Sequence, residues 1–184
     1  MKLNIPILLM TMRDGAVSDQ AAQFVQRQLV SRGVESVIVD PEDYHEKKSF
    51  EQEHVQPWSE IMKAADALVI VSPEYNHSMP GPGKEMLDTL YEEYEKKPVA
   101  ICGVSSGTLG GARVIEHLKT VMIELKMVAI REAMYFAKAR ELFNEDGTIK
   151  DASYEQWMDK MFTELFWYAH VLKAGREGKI DVGL

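Results

Sequence analysis

Two segments of the chain consist of apolar residues and have the length of β-strands, residues 67–71 and 98–104. A strand with one solvated face alternates apolar and polar residues, whereas a strand that is covered on both faces is apolar throughout. These two segments therefore predict the centre of a parallel sheet that carries helices on both of its faces.

Helical patterns alternate with apolar runs along the rest of the chain. The predicted strands are residues 7–10, 34–39, 67–71, 98–104 and 128–130, the last with an extension through 134–136 left open. Helical spacing is found at residues 21–29, which end at Gly33, and at 61–65, 86–94, 114–125 and 157–172. Residues 42–56 are polar and are predicted to form a loop or a short irregular segment, and residues 144–147 a turn. This alternation favours a flavodoxin-like three-layer α/β sandwich, with five parallel strands in the order 2-1-3-4-5.

The composition excludes several classes of function. The 184 residues include 21 Lys and Arg and 29 Asp and Glu, which give a net charge of −8. This negative charge disfavours nucleic acid and anionic membranes as partners. The single cysteine, Cys102, excludes an intramolecular disulfide and a multi-cysteine metal centre. No apolar run approaches the ~20 residues of a membrane helix, and residues 1–10 lack the features of a signal peptide. We therefore expect a cytoplasmic single-domain protein without a metal.

Three loops should meet where ligands bind in such a sheet, at the carboxyl ends of strands 1, 3 and 4. The first, residues 11–18, leads directly into a helix. Ser18 is the natural N-cap, and free N–H groups at Asp19 and Gln20, together with Arg13, would suit a phosphate. An ordinary capped helix with a surface arginine is the equally open alternative.

The other two loops have the composition of a site for a flat ring. Residues 72–83 contain three prolines, which impose a stiff path, and they present the aromatic and amide groups of Tyr75 and Asn76. Residues 103–111 contain four glycines, which allow a close approach of backbone amides to a ligand. A long structural turn is the alternative interpretation of the second loop.

The second loop reads S-P-E-Y-N-H-S-M-P-G and resembles the signature of the NAD(P)H-dependent FMN reductases. The first and third loops, and the segment before the last helix, are similar to other motifs of that family in the same order. The resemblance implies a single flavodoxin-like FMN-binding domain over residues 1–184. The resemblance implies that Arg13, Gly15 and Ser18 bind the FMN phosphate. It also implies that one side of the isoalloxazine contacts Pro73, Glu74, Tyr75 and Asn76. The far side of the ring would then contact Ser105, Ser106, Gly107 and Gly110.

The family implies that a hydride passes from NADPH or NADH to FMN and that electrons then pass to a small-molecule acceptor, which is a flavin, a quinone, an azo compound or a metal oxyanion. The cofactor carries this chemistry, so no catalytic side chain is predicted. A flavodoxin-type electron carrier and a flavin-binding protein without turnover remain alternatives. The chain departs from the family at Met10-Thr11, where Gly-Ser is usual, and at Ala16, where arginine is common in the most similar subgroup. Wide apolar helix faces, with the resemblance, predict a homodimer or homotetramer.

Overall fold

The computed structural model describes residues 2–44 and 52–180 and contains one mainly parallel sheet with helices on both faces. Its strands are β1 (Ile7–Leu9), β2 (Ile38–Val39), β3 (Leu68–Pro73), β4 (Pro98–Val104), β5 (Val128–Ala129) and β6 (Met134–Phe136). Its helices are α1 (Val17–Ser31), α2 (Gln52–Ala64), α3 (Gly81–Asp88), α4 (Ala112–Glu124), α5 (Ala139–Leu142) and α6 (Ser153–Arg176). Short 3-10 turns lie at Pro41–Asp43 and Glu92–Tyr94.

The strand order is β2-β1-β3-β4-β5, all in parallel, and this confirms the predicted flavodoxin-like topology. The two segments predicted as apolar strands form β3 and β4, at the centre of the sheet. β3 and β4 are in register from Leu68 opposite Val99 to Pro73 opposite Val104. The order places the carboxyl ends of β1, β3 and β4 side by side.

Each face of the sheet has its own apolar core, because successive side chains of a strand point to opposite faces. Val69 and Val71 pack with residues of α1 and α6 on one face. Leu68 and Ile70 pack with residues of α2, α3 and α4 on the other face. All four of these β3 side chains are fully buried, which is why the strand contains no alternation of apolar and polar residues.

The fifth strand is split into two. β5 pairs with the start of β4, where Pro98 lies opposite Val128, and β6 pairs with its end, where Cys102 lies opposite Met134. Between them the backbone N–H groups of Arg131 and Glu132 donate to the Glu164 carboxylate of α6. Since this carboxylate takes donors that a continuous ladder would use, the extension through residues 134–136, which the sequence left open, forms a separate strand.

The prediction of a loop over residues 42–56 is wrong at its end, because α2 already begins at Gln52 and contains Pro57. Residues 45–51 of that predicted loop lie outside the described residues. The helix predicted over 86–94 is also wrong at its end, since α3 stops at Asp88. There the Thr89 hydroxyl donates to the Met86 carbonyl at 2.7 Å, and it thereby satisfies an acceptor that a continuing helix would use.

None of the helices in the described part of the chain combines the length and the apolar character that a membrane crossing needs.

Candidate functional site

A cleft of ≈ 670 Å³ opens at the carboxyl ends of β1, β3 and β4. This volume lies within the usual range of ligand pockets. Residues 13–20 form one end of the cleft, which we call the α1 end. Residues 73–75 and 104–106 form the other, which we call the loop end. Ala139 and Arg140 complete the lining.

The first loop turns into α1 through a backbone turn. Gly15 has a φ of 64°, and the Ala16 N–H donates to the Arg13 carbonyl at 3.1 Å. The N-cap of α1 is Ala16, so the prediction that Ser18 caps the helix is wrong. The Asp19 N–H is also not free, because it donates to the Ala16 carbonyl at 3.0 Å. The helix begins two residues earlier than a Ser18 cap would require.

The displaced Ser18 leaves a polar atom without a partner at the α1 end. Its side chain is 1% exposed, and its hydroxyl has no hydrogen-bond partner among the described residues. Within the same part of the chain, no acceptor is found for the backbone N–H groups of Val17 and Ser18. A buried hydroxyl and free N–H groups at a helix N-terminus are the donors that a phosphate needs, so the residues present fit the phosphate of FMN.

Charged side chains of both signs surround this end. Arg13 and Arg140 carry the positive charges, and neither side chain has an ion-pair partner in the described ranges. Asp14 and Asp19 carry the negative charges. Burial raises the pKa of Asp19, and the neighbouring Asp40 and Asp14 carboxylates raise it further. The two arginines therefore offset a local negative charge that would otherwise repel a phosphate.

Arg140 is a site residue that the sequence analysis missed. It lies on α5, which packs against α1, and its segment follows β6 at the same edge of the sheet as the three predicted loops. The Tyr154 hydroxyl holds this segment, because it accepts from the Ala137 N–H at 3.3 Å and donates to the Tyr135 carbonyl at 3.2 Å. The signal was the apolar run 134–136: a strand there puts the next residues at the ligand edge.

The second loop is a tight hairpin. The backbones of Tyr75 and Ser78 exchange hydrogen bonds of 3.0 and 2.9 Å. Asn76 and His77 between them both have positive φ values, 50° and 68°, as a type I′ turn requires. The Tyr75 hydroxyl lies 3.2 Å from the Thr11 hydroxyl, which connects this loop to the first. Asn76 forms the turn and does not line the cleft.

Glu74 lines the cleft, but its carboxylate is bonded to α4. It accepts from the Arg113 guanidinium at 2.9 Å and from the Arg113 backbone N–H at 3.1 Å. Close by, His117 of the same helix lies 3.1 Å from the Ser78 hydroxyl. No role was predicted for Arg113 from the sequence.

In the third loop, three of the four glycines serve the packing of the protein itself. A Cβ on Gly103 would lie 2.6 Å from the Gly110 carbonyl oxygen, and one on Gly110 would lie 2.7 Å from the Tyr135 backbone. Gly107 has open space around it, and its carbonyl accepts the Lys138 N–H at 2.8 Å. Gly107 and Gly110 do not line the cleft, whereas Ser105 and Ser106 do.

The cleft thus collects most of the predicted site residues. Those that line it are Arg13, Gly15, Ser18, Pro73, Glu74, Tyr75, Ser105 and Ser106. Those that lie outside its lining are Asn76, Gly107 and Gly110. In the ranges 2–44 and 52–180, no group of three His, Cys, Asp or Glu side chains is arranged to hold a metal ion.

A parallel sheet in the order 2-1-3-4-5, with unpaired donors at the N-terminus of α1, is the flavodoxin-like architecture. In flavodoxin itself, FMN binds at the β1/β3 switch point of this sheet. The chain belongs to the NADPH-dependent FMN reductase family, whose sequence profile matches residues 4–141. The resemblance drawn from the loop motifs, to a family of FMN reductases that depend on NADPH, is therefore confirmed.

Two curated relatives are named as NAD(P)H-dependent FMN reductases. The NAD(P)H-dependent FMN reductase ntnL of Nectria sp is 34% identical over 118 residues, which cover 61% of this chain and 57% of the relative. The NAD(P)H-dependent FMN reductase PA1204 of Pseudomonas aeruginosa is 33% identical over 102 residues, which cover 53% of this chain and 55% of the relative. The chain thus spans little more than half the length of these relatives, so the reaction of this particular protein is a proposal.

Among solved structures, the flavoenzyme FerB of Paracoccus denitrificans, an NAD(P)H:(acceptor) oxidoreductase, is similar with a TM-score of 0.78. The match covers 90% of this chain and 98% of FerB at 20% sequence identity. At this identity the likeness concerns the fold alone, and it independently supports the flavodoxin-like topology.

Proposed function

We propose that this protein binds FMN in the cleft and uses NADPH or NADH to reduce a small-molecule acceptor. The observation that carries the proposal is the α1 end, where the buried Ser18 hydroxyl and two backbone N–H groups lack partners among the described residues. Buried polar groups are nearly always hydrogen-bonded, so a site with several unpaired donors is built for a ligand that accepts them.

Each end of the cleft has a separate task in this proposal. At the α1 end, Arg13, Gly15 and Ser18 would hold the phosphate, with Arg140 as a second cation. At the loop end, Pro73, Glu74 and Tyr75 would contact one part of the isoalloxazine, and Ser105 and Ser106 another. Asn76, Gly107 and Gly110 shape these loops instead of lining the cleft.

Bound FMN supplies the group that accepts a hydride from the nicotinamide and gives up its electrons to the acceptor. The chain positions that group and leaves part of it accessible. The Tyr75–Ser78 hairpin and its hydrogen bond to Thr11 hold the second loop in one conformation. Ser105 and Ser106 are small, so the third loop leaves room for a second planar molecule at hydride distance, roughly 3–3.5 Å. No acidic or basic side chain is needed for this transfer.

The acceptor is a flavin, a quinone, an azo compound or a metal oxyanion, and the protein works in the cytoplasm. The predicted homodimer or homotetramer stays part of the proposal, with different support. Among the apolar residues of α4, Val114, Ile115, Leu118 and Met122 are buried within one subunit, so most of the face that predicted an interface is part of the core. The exposed aromatic and apolar side chains that could form an interface include Tyr91, Ile123, Trp157 and Trp167.

Anaerobic titration of the FMN-loaded protein with NADPH and with NADH tests the proposal. We expect the visible band of oxidised flavin to bleach with at least one nicotinamide and to return on addition of a quinone or oxygen. An electron carrier would be bleached by dithionite but by neither nicotinamide, and that result would replace the oxidoreductase assignment. The same titration with free FMN alone is the control for direct reduction in solution.

A further inference from the structure

One ion pair ties together the loops that follow β3 and β4. The Glu74 carboxylate belongs to the second loop, and Arg113 is the second residue of α4, which directly continues the third loop. The Glu74 side chain is 9% exposed and that of Arg113 is 39% exposed. The carboxylate is therefore held inside the protein, while the guanidinium reaches its surface.

The pair controls the relative position of two segments that line the loop end. The first turn of a helix leaves backbone N–H groups without partners, and Glu74 accepts one of these from Arg113 at 3.1 Å. The Glu74 N–H also donates to the Val104 carbonyl at 2.9 Å, where β4 ends and the third loop begins. A change at the ion pair thus acts directly on the separation of the second and third loops.

The pair also fixes the charge beside the cleft. An isolated carboxylate would disfavour electron uptake by a bound flavin, because reduction adds negative charge to the ring. The Arg113 guanidinium and the N-terminus of α4 both offset the negative charge of Glu74. Both carboxylate oxygens of Glu74 accept hydrogen bonds from Arg113 of α4. The negative charge of Glu74 beside the cleft is therefore compensated by the positive charge of Arg113.

We propose that Arg113 is a positioning residue. By holding Glu74 it sets the separation of the second and third loops, and it thereby determines both the affinity for FMN and the reduction potential of the bound flavin. The inference rests on the proposed function, because it requires FMN in the cleft.

The test compares Arg113→Gln, Glu74→Gln and the double variant. Each single variant removes a charge-assisted hydrogen bond, so we expect the Kd for FMN, measured by titration of flavin fluorescence, to rise about ten-fold. The midpoint potentials should shift in opposite directions. Arg113→Gln leaves a carboxylate without its countercharge and shifts the potential of bound FMN to more negative values. Glu74→Gln leaves a guanidinium unbalanced and shifts it to more positive values, and the double variant returns close to wild type.

Opposite shifts of the potential are the result that a merely structural role would not produce. Arg113→Lys restores the charge without the guanidinium geometry, so the potential should recover while the affinity recovers only in part. The matched control is Arg131→Gln, which removes an arginine that is 85% exposed, is paired with Glu132 and does not line the cleft. Neither Kd nor potential should change in this control.

The outcomes separate the inference from the proposed function. If wild-type protein binds FMN but the two single variants change its Kd by less than about two-fold, or shift the potential in the same direction, Arg113 has no positioning role and the proposed function stands. If wild-type protein takes up no FMN, the proposed function fails and the positioning role fails with it. Should Arg113→Gln not fold, Arg113→Lys and Glu74→Gln decide the question with the same measurements.

Discussion

The two ends of the cleft differ in how their polar groups are satisfied. At the loop end, Glu74 is paired with Arg113 and Tyr75 with Thr11, and Ser78, at the far side of the same hairpin, is paired with His117. At the α1 end, the Ser18 hydroxyl has no partner among the described residues. The loop end is thus held in one conformation by hydrogen bonds within the protein, whereas the α1 end has donors that are available to a ligand.

This difference indicates a division of labour within one site. The oxidised isoalloxazine is uncharged, so its hydrogen bonds are weaker than those of a phosphate, and the part of a site that receives it gains most from a rigid shape. A phosphate offers several charged acceptors, so its part of the site gains most from unpaired donors. We therefore expect changes at the loop end to alter stability as well as binding, and changes at the α1 end to alter binding alone.

The largest expected effect is at Gly103. A Cβ there would lie within 2.7 Å of two backbone carbonyl oxygens, those of Gly110 and Gly111, and backbone cannot move aside cheaply. Gly103→Ala should lower the free energy of unfolding by about 2–3 kcal/mol, measured by urea denaturation, and weaken FMN binding.

Gly107→Ala is the matched control in the same loop, because nothing lies within 4 Å of a Cβ at that position. Its free energy of unfolding should stay within about 0.5 kcal/mol of wild type. Equal effects of the two substitutions would show that the third loop is not held by glycine packing.

The second effect in size is at Arg13, which has no ion-pair partner in the described part of the chain. Arg13→Ala should weaken FMN binding by about 1–3 kcal/mol, as expected for the loss of a charged hydrogen bond. Its thermal stability should not change. Isothermal titration with FMN and with riboflavin, which lacks the phosphate, measures the effect. Loss of riboflavin affinity to the same extent would place the phosphate elsewhere.

A smaller effect is expected for Tyr75→Phe. It removes the 3.2 Å hydrogen bond between the Tyr75 and Thr11 hydroxyls and leaves the ring in place. The free energy of unfolding of the FMN-free protein should fall by about 0.5–1 kcal/mol. Thr11→Val and the double variant complete a double-mutant cycle. Strictly additive effects in this cycle would show that the first and second loops are not coupled.

The smallest effect concerns Asp19, whose carboxylate lines the α1 end. Asp19→Asn removes a repulsive charge, so FMN binding at neutral pH should tighten by about two- to five-fold. Burial, with Asp40 and Asp14, raises the pKa of Asp19, so its carboxylate takes up a proton as the pH falls through that raised value. The ratio of variant to wild-type affinity, measured by titration at each pH, should then approach one. A ratio that stays constant would contradict the charge effect.

The order of the central strands can be predicted from the sequence more reliably than the ends of the helices and the form of the edge strands. The order of the central strands follows from local runs of apolar residues, and such runs can be recognised without knowing what they contact. The start of α2 could not be recognised in this way, because Pro57 and the polar residues around it argue against a helix. The split between β5 and β6 depends on Glu164, which lies 33 and 32 residues after the Arg131 and Glu132 N–H groups that it accepts.

In the site, too, features that depend on contacts between distant residues could not be predicted from the sequence. The loops were predictable because each follows a strand and because their motifs resemble those of one family. Arg113 was not, since its role depends on Glu74, 39 residues earlier in the chain. Ser18 is a common type of N-cap, and only the turn at Gly15 moves the start of α1 to Val17 and leaves the hydroxyl unpaired.

The division of the fifth strand bears on how the molecule behaves at high concentration. An exposed sheet edge is a template on which another chain can add a strand, and natural proteins keep such edges short. On this side, β5 has two residues and β6 has three, although β4 beside them has seven. On the other side β2 also has only two. A strand from another chain that pairs with either edge of the sheet can form only a few backbone hydrogen bonds with these short strands. We therefore expect the edges of this sheet to promote little aggregation.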